Sequence, residues 1–420
     1  MQPVKGMNDF YPQEKALQNK VFSILRARAQ AYGFQEIETP AIEALNVLTA
    51  KSGEEKKQQI FVLEKRGNEQ LGLRFDLTVP IARMFVQKQK ELQKPVKWFG
   101  LSRMWRYEAP QKGREREFYQ LSVELYGAQS YRADAECILL LIDCFTALGL
   151  KAKDVVIRIN NRKLLEGLLT EYVPQTKMQD CFRIIDKSSK LTPEEFIKEL
   201  KGIGIQSEEV AKIAQTKGTI QEVNEAIKNC AMTEEGKQAL ETIKQMTALL
   251  PKEWITIDLG IARGIDYYTG MVYEAFDREE KLRALAGGGR YDALVELYGG
   301  EKTAAVGWAI GYSTLLLFLQ EKNLTPKILN EIDCYIAPVD ESMIAEAFRI
   351  ATELRKNANV EIDLAERKLS KQFEYASAIG AKKVIVIGSK DLQDGKVTIR
   401  DMKTGKEEKA PVTKISDFLH

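Results

Sequence analysis

The chain contains almost no histidine. Of its 420 residues only the last, His420, is one, which excludes a Ser–His–Asp triad, an imidazole metal site and histidine acid–base chemistry. Cysteine is sparse as well. Cys137, Cys144, Cys181, Cys230 and Cys334 are scattered, odd in number and never in a C-x-x-C spacing, so neither a disulfide framework nor a zinc site is expected. They read as thiols of a reducing compartment. No apolar run approaches the roughly 18 residues that span a bilayer, and the opening MQPVKGMNDFYP lacks the apolar centre of a signal peptide. A cytoplasmic protein with no membrane partner is the expectation. Neither sign of charge dominates: 62 Lys and Arg against 60 Asp and Glu leave a formal +2. Any nucleic-acid partner must therefore be met by local basic patches. Catalysis in such a chain falls to arginine, lysine, carboxylates, backbone groups or a bound metal.

What is present is a long chain with changes of character. At this length two or three domains are expected. Pro12 opens a helical pattern carried by Leu17, Val21, Ile24 and Leu25 and stopped at Gly33. FQEIETPAIE (Phe34 to Glu43) is extended, and Pro40 within it places the segment at a sheet edge or a subunit boundary. Ile60 to Phe75 reads as two strands around an R-G-N turn, Trp98 to Arg106 and Arg116 to Tyr126 as two more, and Ala133 to Leu148 as an apolar helix. After a short strand (Val155 to Ile159), amphipathic helical patterns run from Arg162 to about Leu250. This predicts a mostly helical insertion over 151–250, inside a core formed by 1–150 and 251–324. Beyond LTPKILN (324–330), strands at Ile332 to Ala337, Val360 to Leu364 and Lys383 to Ile387 alternate with helices at Met343 to Lys356 and Leu369 to Ile379. A small α/β domain over 328–420 is predicted.

Four segments could carry chemistry. In YQLSVELY (Tyr119 to Tyr126), strand alternation puts Gln120, Ser122 and Glu124 on one face and Leu121, Val123 and Leu125 on the other. Gln120 and Glu124 would stand about 13 Å apart, which suits an amino acid extended toward a phosphate. By itself the pattern also describes the solvent face of an antiparallel sheet. In LRFDLTVP, read as a strand, Asp76 and Thr78 share a face and could bind an ammonium group, or simply decorate a turn. Arg106 ends an aromatic strand, and the loop after it gathers Lys112, Arg114 and Arg116 around Gly113. Such guanidiniums suit phosphate, although a solvated basic loop has the same composition. The fourth segment is RGIDYYTGMVYE with GGGRYD downstream. Alternation puts Arg263 and Tyr268 on opposite faces, so a bulge at Gly264 is needed if both are to meet one ligand. The run Gly287 to Gly289 permits close approach but lacks the G-K-[ST] of a phosphate-binding loop.

In this order and spacing, VKGMNDFYP, Pro40, LRFDLTVP, RYEAPQKGREREFYQ, RGIDYYTGMVYE, GGGRYD and LAERKLSKQFEYASAIGAKKVIVIG resemble the histidyl-tRNA synthetases, class II aminoacyl-tRNA synthetases, over nearly the whole chain. The resemblance implies an α+β core with a mixed, mainly antiparallel sheet, and an anticodon-binding role for the C-terminal α/β domain. It implies ATP-dependent activation of L-histidine and its transfer to tRNA(His) by a homodimer paired through the Pro40 segment, with Mg²⁺ accompanying ATP. Asp76, Thr78 and Gln120 would hold the α-amino group. Glu124 and Tyr268, with Tyr267 beside them, would hold the imidazole. Arg106 would grip the α-phosphate and Arg263 the reacting carboxylate and α-phosphate, while Arg114 and Arg116 would meet the distal phosphates or the tRNA end. One pair of positions departs from the family pattern. VGWAIGYSTLLL (Val306 to Leu317) has Ser313 and Thr314 where the family has Glu-Arg, and threonine cannot replace a guanidinium fork. That departure favours an alternative, a non-catalytic histidine-binding relative that regulates a partner enzyme.

Overall fold

The computed structural model describes the whole chain except residues 51–57, 66, 189–190, 264–266, 329–331 and 420. The chain forms two compact units, Met1–Pro326 and Lys327–His420.

The first unit is built on a nine-stranded sheet. Helix α1 (Pro12–Ala31) starts at a capping box in which Glu14 accepts from the Tyr11 backbone N–H, and Pro12 occupies a first-turn position where its missing donor costs nothing. Strands β1 (Gln35–Glu36) and β2 (Ile42–Ala44) flank Pro40, and α2 (Leu45–Thr49) follows. Strand β3 (Leu71–Leu73) pairs with β2, and the chain around Val62 pairs back onto Gly72, forming the expected hairpin. LRFDLTVP is not one strand. It leaves β3 at Leu73 and turns into α3 (Thr78–Lys88), because Pro80 fits the first turn of a helix better than a sheet ladder.

The long strands β4 (Val96–Trp105) and β5 (Glu117–Tyr126) form the centre, backed by α4 (Tyr131–Ala147). Strand β6 (Val155–Asn161) leads into helices α5 (Arg162–Leu169), α6 (Met178–Lys187), α7 (Pro193–Gly202) and α8 (Glu208–Gln215). After β7 (Lys217–Gly218) come α9 (Ile220–Ile227) and α10 (Glu234–Thr247). Strands β8 (Ile255–Asp258), β9 (Met271–Asp277), β10 (Ala286–Arg290) and β11 (Ala305–Gly311) complete the sheet, with α11 (Leu294–Leu297) before β11 and α12 (Tyr312–Glu321) after it. The order is β1-β4-β5-β11-β10-β9-β6-β8-β7. Among the described residues only β1–β4 and β6–β8 are parallel, so the sheet is mixed and mainly antiparallel. Among the described residues, the helices between 162 and 247 do not enclose a core of their own. Leu164, Leu168, Phe182, Phe196 and Ile243 belong to the same apolar cluster as Val21, Leu121, Val123 and Phe145.

The second unit has a five-stranded sheet in the order β13-β12-β14-β15-β16, formed by β12 (Cys334–Pro338), β13 (Val360–Ile362), β14 (Lys383–Ile387), β15 (Lys396–Asp401) and β16 (Glu407–Pro411). Helices α13 (Ile344–Leu354), α14 (Leu369–Ala378) and the short α15 (Ser389–Gln393) accompany it. Its first three strands are parallel, as the strand–helix alternation predicts. The antiparallel pair β15–β16 extends the sheet beyond that expectation. Its apolar residues, among them Ile336, Ile350, Ile385 and Ile399, form a separate core.

Candidate active site

The site lies where β5, β11, β10 and β9 run side by side. Leu121, Val123 and Leu125 point into the main apolar cluster, as alternation requires. Gln120, Ser122 and Glu124 occupy the other face, yet all three are buried, which rules out a solvent face. Gln120 Nε2 donates to Ser122 Oγ at 2.9 Å. Glu124 lies deepest. Its Oε1 accepts a 2.8 Å hydrogen bond from the Thr78 hydroxyl at the start of α3, while among the described residues its Oε2 accepts nothing. Burial pushes the Glu124 carboxyl well above the usual carboxylate range; the Thr78 hydroxyl opposes this and the nearby Asp76 adds to it.

Three tyrosines wall this pocket. The rings of Tyr267 and Tyr268 have centroids 4.8 Å apart, and Tyr291 meets them edge-on at 5.7 and 6.4 Å. The space beside Glu124 exists because Gly307 faces it across the β5–β11 register. A β-carbon at Gly307 would lie 2.6 Å from Glu124 Oε2 and 2.7 Å from the Tyr291 hydroxyl.

From Gln120 the site opens into a cavity lined by Arg106, Arg114, Arg263, Arg283, Glu108, Glu274, Ser313 and Thr314, among others. Arg263 does not sit in a strand, since β9 begins only at Met271. Its φ of +43° is a left-handed conformation that side-chain-bearing residues rarely adopt, and strict alternation therefore does not apply to it. The guanidinium lies 5.4 Å from the Tyr268 ring centre and donates to Glu274 Oε1 at 2.8 Å. Gly287 pairs with Glu274 across β10–β9, and a β-carbon there would collide with the Arg263 guanidinium. This is the close approach that the glycine run serves. Burial alone would lower the Arg263 pKa, but Tyr268, Glu274 and Tyr267 hold it above its ordinary value, so the group stays charged.

Arg106 follows β4, donates from Nε to the Phe75 carbonyl at 3.0 Å and lies 5.0 Å over the Phe118 ring. Arg114 pairs with Glu108. Burial alone would raise the Glu108 carboxyl, yet the hydrogen bond from Arg114 and the charges of Arg106, Arg114 and Arg283 bring it below its ordinary value. Among the described residues no three His, Cys, Asp or Glu side chains gather to hold a metal. The cavity carboxylates are engaged elsewhere: Glu108 by Arg114, Glu274 by Arg263, and Glu115 by Ser313 at 2.5 Å. A protein-held magnesium does not fit these residues.

Residues 6–315 match the family model described as histidyl-tRNA synthetase, and residues 333–420 match the anticodon binding domain. The histidine–tRNA ligase of Pyrococcus furiosus is 39% identical over 99% of this chain and 98% of its own. The chain belongs to the histidyl-tRNA synthetase family. The histidyl-tRNA synthetase of Nostoc sp. superposes with a TM-score of 0.82 at 26% identity, covering 100% of this chain and 98% of that one. A Bacillus halodurans protein described as an ATP phosphoribosyltransferase regulatory subunit/histidyl-tRNA synthetase shares the fold, with a TM-score of 0.75 at 24% identity over 92% of this chain and 98% of its own.

In synthetase terms, the structure brings together most of the residues singled out in the sequence. Thr78 and Glu124 are hydrogen-bonded, and Asp76 is close enough to Glu124 and Tyr267 to act on their charge. Asp76 and Thr78 meet at a strand-to-helix turn, where Asp76 Oδ1 accepts from the Val79 N–H at 3.4 Å. Gln120, Arg106, Arg114 and Arg263 share the cavity. Arg116 does not line it; its guanidinium stacks 4.4 Å over Tyr107 and its Nε donates to the Glu108 carbonyl. Gly264, the expected bulge, lies outside the described residues. Arg290 of GGGRYD is structural, forking onto the buried Asp134 of α4 and reaching the Ala128 carbonyl. Sequence reasoning missed Arg283, Glu274 and Gly307. Only the departure at Thr314 hinted that another cation would be needed.

Proposed function

We propose that the chain activates L-histidine with ATP and transfers it to tRNA(His). One observation carries the reading: a buried carboxyl with a vacant oxygen, Glu124, lies at the closed end of a site whose open end is lined by guanidiniums. A buried acceptor without a donor is costly, and an imidazole N–H supplies that donor between the tyrosines. Tyr268 offers its hydroxyl to the same ring, with Tyr267 packed against it. Asp76, Thr78 and Gln120 take the α-ammonium group. The histidine carboxylate is then directed toward Arg263 and Arg106.

In the first step the carboxylate oxygen attacks the α-phosphorus of ATP, the bond to the bridging oxygen breaks, and pyrophosphate leaves. Charge grows on the α-phosphate oxygens as this happens. Arg263, held by Glu274 and Tyr268, and Arg106, held by the Phe75 carbonyl, meet that charge without reorganising. Arg114 takes the distal phosphates, and Arg116, outside the cavity, faces the tRNA end. In the second step a 3′-terminal ribose hydroxyl attacks the activated carbonyl, and AMP leaves. Magnesium would enter on the triphosphate, with charge neutralisation as its contribution. The resident compartment on this reading is the cytoplasm. The working form is a homodimer paired through the Pro40 segment, next to which Ile42 is exposed.

Histidine-dependent ATP–pyrophosphate exchange by the purified protein tests the proposal, followed by charging of tRNA(His). Exchange that requires histidine and no other amino acid is expected. Histidine binding without exchange would instead support the regulatory reading, which rests on Thr314 standing in place of an arginine.

A further inference from the structure

The start of α12 offers the cavity no cation. Thr314 lies there, and its hydroxyl donates to the Gly113 carbonyl at 3.1 Å, closing the loop around Gly113 against the helix. Arg283 lines the same cavity from the turn between β9 and β10. Arg114 is paired with Glu108 and Arg263 with Glu274. Arg283 instead donates no hydrogen bond and closes no ion pair among the described residues. Partial burial and then the neighbouring Arg114 and Arg106 guanidiniums push its pKa below the ordinary arginine value, with Glu108 and Glu274 opposing. Guanidiniums crowded at one mouth repel each other, and a polyanion relieves that repulsion. Depth gives an order: the Arg263 side chain is only 15% exposed beside the tyrosines, whereas Arg283 is an exposed residue. A triphosphate running outward from Arg263 and Arg106 therefore reaches Arg283 with its terminal groups.

The geometry points to Arg283 as a second guanidinium, beside Arg114, that grips the β- and γ-phosphates of ATP, supplying the one that position 314 lacks. This rests on the reading that the cavity takes ATP. Calorimetric titration of the full-length protein with Mg-ATP and with AMP, which lacks both distal phosphates, tests it. For Arg283→Ala, ATP affinity is expected to fall at least about tenfold and up to about 100-fold, the range for a charge-assisted contact. AMP affinity and the thermal midpoint should stay as in the unaltered protein. Arg283→Lys, which keeps the charge and loses the fork, is expected to fall between the two. A smaller loss for ATP overturns the assignment, as does an equal loss for ATP and AMP. If the unaltered protein binds neither nucleotide, the ATP reading itself fails and the assignment with it.

Discussion

Glu124 combines two properties that oppose each other in the empty protein: it is inaccessible to water, and one of its oxygens has no donor among the described residues. A carboxyl whose folded pKa lies above its unfolded value stabilises the fold at pH below the unfolded value. That contribution is lost as pH rises through the folded pKa. The unliganded protein is therefore expected to lose thermal stability from pH about 4.5 upward through this group. In Glu124→Gln that part of the slope should vanish, as thermal melts at several pH values would show. The same variant should raise the KM for histidine by about 10- to 100-fold, because an amide NH2, a donor, takes the place of one of the two carboxyl oxygens that can accept from the imidazole. A steady-state exchange assay with unchanged KM would remove Glu124 from the imidazole site.

At the scale of elements, the pocket is created by register. Glu124 on β5 faces Gly307 on β11, and Gly307 in turn faces Gly289 on β10. The next pairing outward sets Gly287 of β10 against Glu274 of β9, leaving room for the Arg263 guanidinium. Small residues on adjacent strands open two adjoining spaces, one for a ring and one for a guanidinium. Gly307→Ala should therefore act on both stability and binding. Its β-carbon would crowd Glu124 Oε2, the Tyr291 hydroxyl and the Val123 carbonyl, costing about 1–3 kcal/mol. A urea titration and a histidine KM measurement would both have to shift; a variant that shifts neither would show that the strands can separate to admit a methyl group.

On the scale of the whole molecule, each of the two units has its own apolar core. The second is closed by Ile336, Ile350, Ile385 and Ile399, and by Gln372, whose Nε2 ties the Pro338 and Arg367 carbonyls together. A chain truncated to residues 1–326 is expected to keep histidine-dependent exchange and to lose most of its tRNA charging. Residues 327–420 alone should unfold in a single cooperative transition. Loss of exchange on truncation, measured beside the full chain, would show that the first unit depends on the second.

Much of the fold was legible because its signals are local. The alternation along Glu117–Tyr126, the first-turn proline of Pro12–Ala31 and the strand–helix repeat after Lys327 follow from backbone geometry alone. The motifs likewise identified the family and the amino acid, since residue type decides which groups can bind an imidazole and a phosphate. Other features depend on contacts between distant segments. LRFDLTVP read as a strand because its pattern does not reveal that Pro80 sits in the first turn of a helix. Arg263 read as one face of a strand because a single left-handed residue leaves no periodic trace. The helices of 162–247 read as an insertion, but their apolar faces do not say which core they join. Tertiary structure alone decided that Arg116 stacks on Tyr107 outside the cavity, that Arg290 is tied to Asp134, and that Arg283 reaches the cavity with its charge unpaired. The sequence by itself determined which chemical groups this protein has to work with. The pairing of strands far apart in the chain determined which of those groups face the cavity and how each is held there, because position and partners follow from contacts that no single segment contains.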